Sequence, residues 1–302
     1  MKLTKLTPHI IQGFYNDLLA NGRIVPKRDK QGKIIKKGSV AVTETAPLNA
    51  KTVRNVHGVL TKAFSQAVKV GYITRNPCDM VDLPRVEKAQ IMPLTDEQVK
   101  SYLAAADTDN DYGDILKVIL FTGLREAEAL GLTWDCVDFD NGILTINKQM
   151  QLHQDKDMKA YQLVPTKNSK ARTITAAPFV IECLRHRKIE QAKERLLAGP
   201  LWQQSGLVFT DATGNHITKP TLYRAFKKAA ASIGRPDARF HDLRHSYAVA
   251  ALRSGDDIKT VQGNLGHATA AFTLDVYGHV TDQMKQDSAS RMEQFIKTVS
   301  GS

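Results

Sequence analysis

HDLRHSYAVAALRSGDDIKTVQGNLGHATAAFTLDVYGH, residues 241–279, is the stretch on which the reading of the chain turns. Its first part predicts a helix over 241–254 that carries His241, Arg244 and His245 at spacings of three and four, on or near one face. Gly255 ends that helix, and Asp256 or Asp257 caps the next one. Leu265-Gly266-His267 then brings His267 to a helix terminus, and Tyr277 follows ten residues later, ahead of Gly278 and His279. The pattern should fold imidazoles, a guanidinium and a phenol onto one pocket, a set suited to phosphate chemistry. A second arginine and a lysine have to come from upstream.

Upstream, GLREAEALGL (123–132) starts a short helix at Arg125, packed by Leu124, Ala127, Leu130 and Leu132. An arginine just after a glycine is expected to be held partly buried beside helix N-termini, and Glu128, three residues on, shares its face and can pair with it. Thr95 to Gln98 fits a capping box, and Ile115, Val118, Ile119 and Leu120 mark a buried helix that ends at Thr122-Gly123. Residues 136–177 alternate in strand fashion, with VDFDNGILTI predicted as one hairpin and QLVPTKNSKARTITA as a second. Lys167 sits at the edge of that second turn, beside Asn168 and Ser169. Pro178 opens a long charged helix, Leu222, Phe226 and Ala230 mark another, and a C-terminal helix over 281–298 carries Met284, Met292, Phe295, Ile296 and Val299 on a polar background. That apolar stripe must bury against something, and a second protomer would serve.

The N-terminal third has a different texture. Residues 1–92 carry 16 Lys and Arg against 6 Asp and Glu, while residues 93–302 carry 26 against 25, so nearly all of the +11 net charge lies at the start. Segregated positive charge points to a polyanion, most often nucleic acid, because neutralising phosphates releases counterions; a merely solubilising surface is the blander alternative. Thr7 and Pro8 open a helix with Ile10, Ile11, Phe14 and Leu18 inward. Residues 23–47 read as a loop or loose hairpin bearing Arg23, Lys27, Arg28, Lys33, Lys36 and Lys37. A long amphipathic helix follows, with Val53, Val56, Leu60, Ala63, Phe64, Ala67 and Val68 inward and Lys51, Arg54 and Lys62 outward. These nine cations are the expected DNA-binding residues.

A chain of 302 residues predicts two domains. We expect a helical DNA-binding domain over 1–81, a linker over 82–94 and a mixed α+β domain over 95–302, the whole mainly α with small β-hairpins. Two long helices are few for an independent core, so a piece is expected to have been removed from the start of the first domain. Cys78, Cys136 and Cys183 lie far apart with no CxxC pair, which fits a reducing compartment, and neither a signal peptide nor a membrane span is legible; a cytoplasmic location is expected.

GLREAEALGL, TKNSKARTI, HDLRH, LGH and DVYGHV, in that order, resemble the motif set of the tyrosine recombinases, the integrases of phages and conjugative transposons. The match spans essentially all of 95–285, and the basic N-terminal part resembles the family's core-binding domain. The resemblance implies that Tyr277 is the nucleophile, Arg125 and Arg244 the paired arginines, His241 and His267 the two histidines, Lys167 the hairpin lysine and Glu128 the acidic position after the first arginine. It also implies double-stranded attachment-site or transposon-end DNA as substrate, no cofactor and no metal, four protomers on two duplexes, an accessory excision factor, and no arm-binding domain here.

The chemistry is consistent with those roles. Two planar guanidiniums can hold the extra negative charge of an in-line attacked phosphodiester. A phenol with a pKa of about 10 needs a base or a cationic surround, and His241 is the best base. Lys170 and Arg172 compete with Lys167 as general acid, and Lys167 is preferred because the family pattern puts its lysine at the start of the turn. His241 and His245 at i, i+4 suggest a metal pair, yet Arg244 between them would repel a cation. SGDDIKTVQGNLGH also passes for a helix-turn-helix, so a DNA-binding regulator without cleavage is the alternative of another class, and a type IB topoisomerase is a third.

Overall fold

The computed structural model describes residues 3–87, 92–109, 111–155, 158–166, 171–266 and 281–300. The chain is mainly helical with small sheets, and it divides into two compact units, Met1–Gln90 and Ile91–Ser302.

In the first unit, helix α1 (Pro8–Asn21) is capped by Thr7 and packs with α2 (Ala50–Lys69), capped by Asn49. The buried face of α1 is Ile11 and Tyr15, while Ile10 and Phe14 are exposed, which shifts the predicted face by one position. Tyr15 explains the shift. Its ring fills the core and its hydroxyl lies 3.1 Å from His57 Nδ1 and 3.8 Å from Cys78 Sγ, so a residue passed over as polar is the best buried of the helix. On α2, Val53, Phe64 and Ala67 are buried, but Ala63 is exposed.

Between the helices, the expected loop is an ordered antiparallel ribbon. Strand β1 (Arg23–Pro26) pairs with β4 (Thr43–Ala46), and β2 (Lys36–Lys37) pairs with β3 (Val40–Ala41). Backbone bonds from Lys27 N to Val42 O (2.8 Å) and from Ile35 N to Lys27 O (2.9 Å) join the passes. Residues after α2 stay with this unit: Val81 and Leu83 pack on its core, and Gln12 bonds the backbone of Asp82 in both directions.

The second unit is built around α4 (Gly113–Thr122), where Ile115, Leu116, Val118, Ile119 and Leu120 are all buried. Around it stand α3 (Asp96–Asp107), α5 (Glu126–Leu130), α6 (Pro178–Ala198), α7 (Lys219–Ser232), α8 (Phe240–Arg253) and α9 (Ile258–Leu265). The capping box of Thr95 and Gln98 starts α3, and Leu94 already lies in this core, its N–H donating to Ser246 Oγ on α8 at 2.8 Å. The C-terminal helix runs Thr281–Ser300, two residues further than its predicted 281–298, and leaves Met292, Phe295, Ile296 and Val299 exposed.

One strand pairing differs from the sequence reading. Strand β5 (Val137–Asp138) pairs with β6 (Ile143–Ile146) as expected, but β9 (Arg172–Thr175) lies against β6, completing a sheet of order β5-β6-β9. Strand β8 (Met158–Pro165) pairs instead with β7 (Lys148–Asp155). The expected QLVPTK–RTITA hairpin therefore does not form. Turn residues at 168–169 suggested a local partner, whereas Leu144, Ile146 and Ile174 gain a shared buried face only if β9 pairs across more than twenty intervening residues.

Candidate active site

The site begins with a forced turn. Gly123 closes α4 in the left-handed region (φ +63°), and a Cβ there would stand 2.6 Å from Leu265 Cδ2 and from Tyr247 Cδ1. Glycine is the residue that allows both the conformation and the approach of α8 and α9. The turn puts Arg125 at the N-cap of α5, and Glu128 reaches back to accept from the Arg125 N–H at 3.0 Å and from its Nη1 at 2.6 Å. The predicted pairing of these two residues is present. Arg125 is partly buried as expected, its side chain 41% exposed, while Glu128 is buried.

Glu128 has a second partner. Arg172 of β9 grips it with two bonds, Nη1 to Oε1 at 3.0 Å and Nη2 to Oε2 at 2.7 Å, and donates from Nε to Asn264 O at 2.7 Å. Burial alone would raise the Glu128 pKa, but the bonds and charge of Arg172, followed by Arg125, hold it down at about 2.

Arg244 comes from α8, whose first turn is started by Asp242 accepting from Arg239 N at 2.8 Å. Its side chain is buried; Nη1 donates to Gly123 O at 2.6 Å and Nη2 to Leu265 O. Arg125 Nη2 lies 3.4 Å from Gly266 O. Three consecutive carbonyls, 264, 265 and 266, thus receive Arg172, Arg244 and Arg125. These are terminal carbonyls of α9 and its cap, the negative end of the helix dipole, which offsets the repulsion among three guanidiniums. Among the described residues, Glu128 is the carboxylate bonded to Arg125 and Arg172.

His241 and His245 share α8, their rings edge to face with centroids 4.7 Å apart. His241 is exposed, yet the protein around its ring, then Arg244 and Arg125, hold its pKa below the ordinary imidazole value. His245 is buried, and desolvation, then His241, push it down to about 4. Both rings are neutral at pH 7. Among the described residues no group of three or more His, Cys, Asp or Glu is placed to hold a metal ion.

The described site therefore brings together Arg125, Glu128, His241 and Arg244, and Lys167, His267 and Tyr277 lie outside the described residues. The sequence reading weighed Arg172 only as a proton donor and missed it as a partner of Glu128. The sequence carried no signal for this role, because the structure places Arg172 at the start of β9, opposite Ile146, only through a long-range strand pairing. In the first unit, Arg23, Lys27, Arg28, Lys33, Lys36, Lys37, Lys51, Arg54 and Lys62 are all exposed, with Arg54 Nε also donating to Pro84 O at 2.8 Å.

Residues 93–284 match the phage integrase family. A tyrosine recombinase XerC-like protein of Caldanaerobacter subterraneus subsp. tengcongensis is 30% identical over 267 residues, covering 82% of this chain and 67% of the relative. The ICEBs1 integrase of Bacillus subtilis is 26% identical over 252 residues, covering 82% and 67%. Among solved structures, the Tn1549 transposon integrase in complex with a circular intermediate DNA superposes with a TM-score of 0.70 at 20% identity, covering 96% of this chain and 86% of that one. A lambda integrase dimer bound to a core site gives 0.57 at 17% identity, covering 90% and 82%. At these identities the superpositions establish the fold.

Proposed function

The chain belongs to the phage integrase family of tyrosine recombinases, and from that premise we propose that it integrates and excises a mobile element by cleaving and rejoining DNA through Tyr277. The observation that carries the assignment of roles is the seating of Arg125, Arg172 and Arg244 on successive carbonyls at the end of α9. Three converging guanidiniums, with the Arg125 side chain 41% exposed, suit a phosphodiester whose non-bridging oxygens gain negative charge during attack.

In this reading the Tyr277 hydroxyl oxygen attacks phosphorus in line, its proton passing to neutral His241. The P–O5′ bond breaks as the P–O(Tyr) bond forms, and Lys167 supplies a proton to the departing 5′ oxygen. Arg125, Arg244 and His267 hold the non-bridging oxygens. The product is a 3′-phosphotyrosine and a free 5′ hydroxyl. Attack by a new 5′ hydroxyl reverses the step on another strand, so the bond energy is retained and neither ATP nor a metal is required.

Double-stranded DNA at attachment or transposon-end sites is the proposed substrate. Residues 1–81 act as the core-binding domain, 82–94 as a linker and 95–302 as the catalytic domain, with affinity drawn largely from the pairing of the nine exposed cations with phosphates. Recombination of two duplexes takes four protomers, and the exposed stripe of Met292, Phe295, Ile296 and Val299 on the C-terminal helix supports its docking on a neighbouring copy. An accessory excision factor sets direction, the element is of phage or transposon type, and the protein acts in the cytoplasm. No helix among the described residues is long and apolar enough to cross a membrane.

The test is covalent capture. Incubated in EDTA with a nicked duplex spanning the element's recombination junction, the protein should form an SDS-resistant adduct that Tyr277→Phe does not form. DNA binding without any adduct would favour a regulator instead, and an adduct that survives Tyr277→Phe would show that another residue is the nucleophile.

A further inference from the structure

Arg172 is the first residue of β9. Its side chain is only 12% exposed, and it bonds two other elements at once, Glu128 on α5 and Asn264 O on α9. The space around it is shaped for it. Gly266, in the left-handed region at φ +64°, lies against the stem, and a Cβ there would stand 3.1 Å from Arg172 Cδ and 3.3 Å from Nε and Nη1. A guanidinium committed in this way to a carboxylate and a carbonyl is not available as the general acid.

We propose that Arg172 is a positioning residue for strand cleavage: it clamps Glu128 to the C-terminal turn of α9, and so fixes Arg125 relative to the chain that leads into His267. The proposal rests on the recombinase reading above. Among the described residues, Arg125 and Arg172 are the cations that face Glu128, from its own helix N-cap and from β9, while α9 presents backbone carbonyls. Because Arg172 makes the bidentate bond, Arg125 shares the carboxylate through Nη1 alone, its Nη2 lies near Gly266 O and its side chain stays 41% exposed. Without Arg172, Glu128 is a buried carboxylate whose remaining cation is Arg125, and the attraction draws Arg125 inward, away from a phosphate. A lysine cannot replace the clamp, since one ammonium cannot make two parallel bonds to a carboxylate and a third to a carbonyl across from it.

The test compares wild type with Arg172→Lys, Arg172→Gln, Glu128→Gln and the Arg172→Gln/Glu128→Gln double variant on the nicked junction duplex. Affinity is measured by fluorescence anisotropy, and the first-order rate of adduct formation is measured at saturating protein from pH 5.5 to 8.5. Arg172→Lys should keep its Kd within about threefold while the rate falls about 100-fold, the scale expected for an ångström of misplacement. Arg172→Gln should gain an acid limb, because a buried Glu128 deprived of its main partner takes up a proton as pH falls, and the double variant should lose that limb. A wild-type rate in Arg172→Lys, a parallel loss of affinity and rate, or a wild-type pH profile in Arg172→Gln would each overturn the proposal. If the Arg172 variants do not fold, the near-isosteric Glu128→Gln decides: it should lose rate and not affinity, and a wild-type rate there also overturns it. Failure of wild type to form the adduct, or an adduct in Tyr277→Phe, counts against the recombinase reading and not against the clamp.

Discussion

The molecule uses its arginines and lysines in two opposite ways. At the end of α9, Arg125, Arg172 and Arg244 are tied to carbonyls and to Glu128; Arg244 is buried and the Arg172 side chain is only 12% exposed. Along the ribbon of residues 23–46, Arg23, Lys27, Arg28, Lys33, Lys36 and Lys37 stand exposed, and among the described residues no acidic side chain pairs with any of them. Only Arg28 is tied locally, its Nη1 donating to Gly32 O at 2.6 Å. Fixed cations are costly to assemble and act only on a group delivered to an exact place, as a reacting phosphate is. Free cations follow a flexible polyanion and contribute affinity and attraction at a distance.

The sharpest way to break this contrast is on the ribbon. Replacing its six cations by alanine should lower the slope of log K against log salt by about one for every phosphate left without its cation, which at low salt amounts to a loss of several orders of magnitude in affinity. An unchanged slope in a salt titration by anisotropy would remove the ribbon from the DNA interface.

A smaller effect belongs to the fixed region and needs no DNA. His245 is buried and neutral, with its pKa pushed down from 6.5 to about 4. Between those values the unfolded chain takes up a proton that folded His245 refuses, so stability falls as pH drops from about 6.5 and levels off near 4. The contribution is on the order of 3 kcal/mol. Urea midpoints across that window should decline in wild type and decline less steeply in His245→Leu, the remaining slope coming partly from His241, which is also depressed. Equal slopes would place the acid sensitivity elsewhere. Glu128 behaves differently: held down at about 2, it contributes fully above its ordinary value of 4.5, and that contribution is lost progressively as pH falls from there to about 2.

Much of this was legible in the sequence. The helices of the second unit, the Thr95–Gln98 capping box and the Arg125–Glu128 pair follow from spacing alone, because helical neighbours are set by a local period. The pairing of β9 with β6 was not legible, since register depends on which distant strand shares a buried face, and a nearby turn-forming dipeptide misled the reading. Arg172 was hidden for the same reason: its partners lie 44 and 92 residues away in the chain. The α1 face was misjudged because Tyr15 buries a polar tip only when His57 and Cys78 are there to meet it. Electrostatic placement was the hardest to foresee, since convergence of three arginines on the end of one helix leaves no periodic mark.

The central claim is that the fixed cations act on the reacting phosphate and the exposed ones on affinity. It is tested most directly by Arg125→Lys, assayed for adduct formation at saturating protein on the nicked junction duplex, with affinity measured in parallel. Kd should stay close to wild type and the rate should fall by about 100- to 1,000-fold, the usual cost of losing one preorganised donor to a developing oxyanion. A wild-type rate accompanied by weakened binding would contradict it.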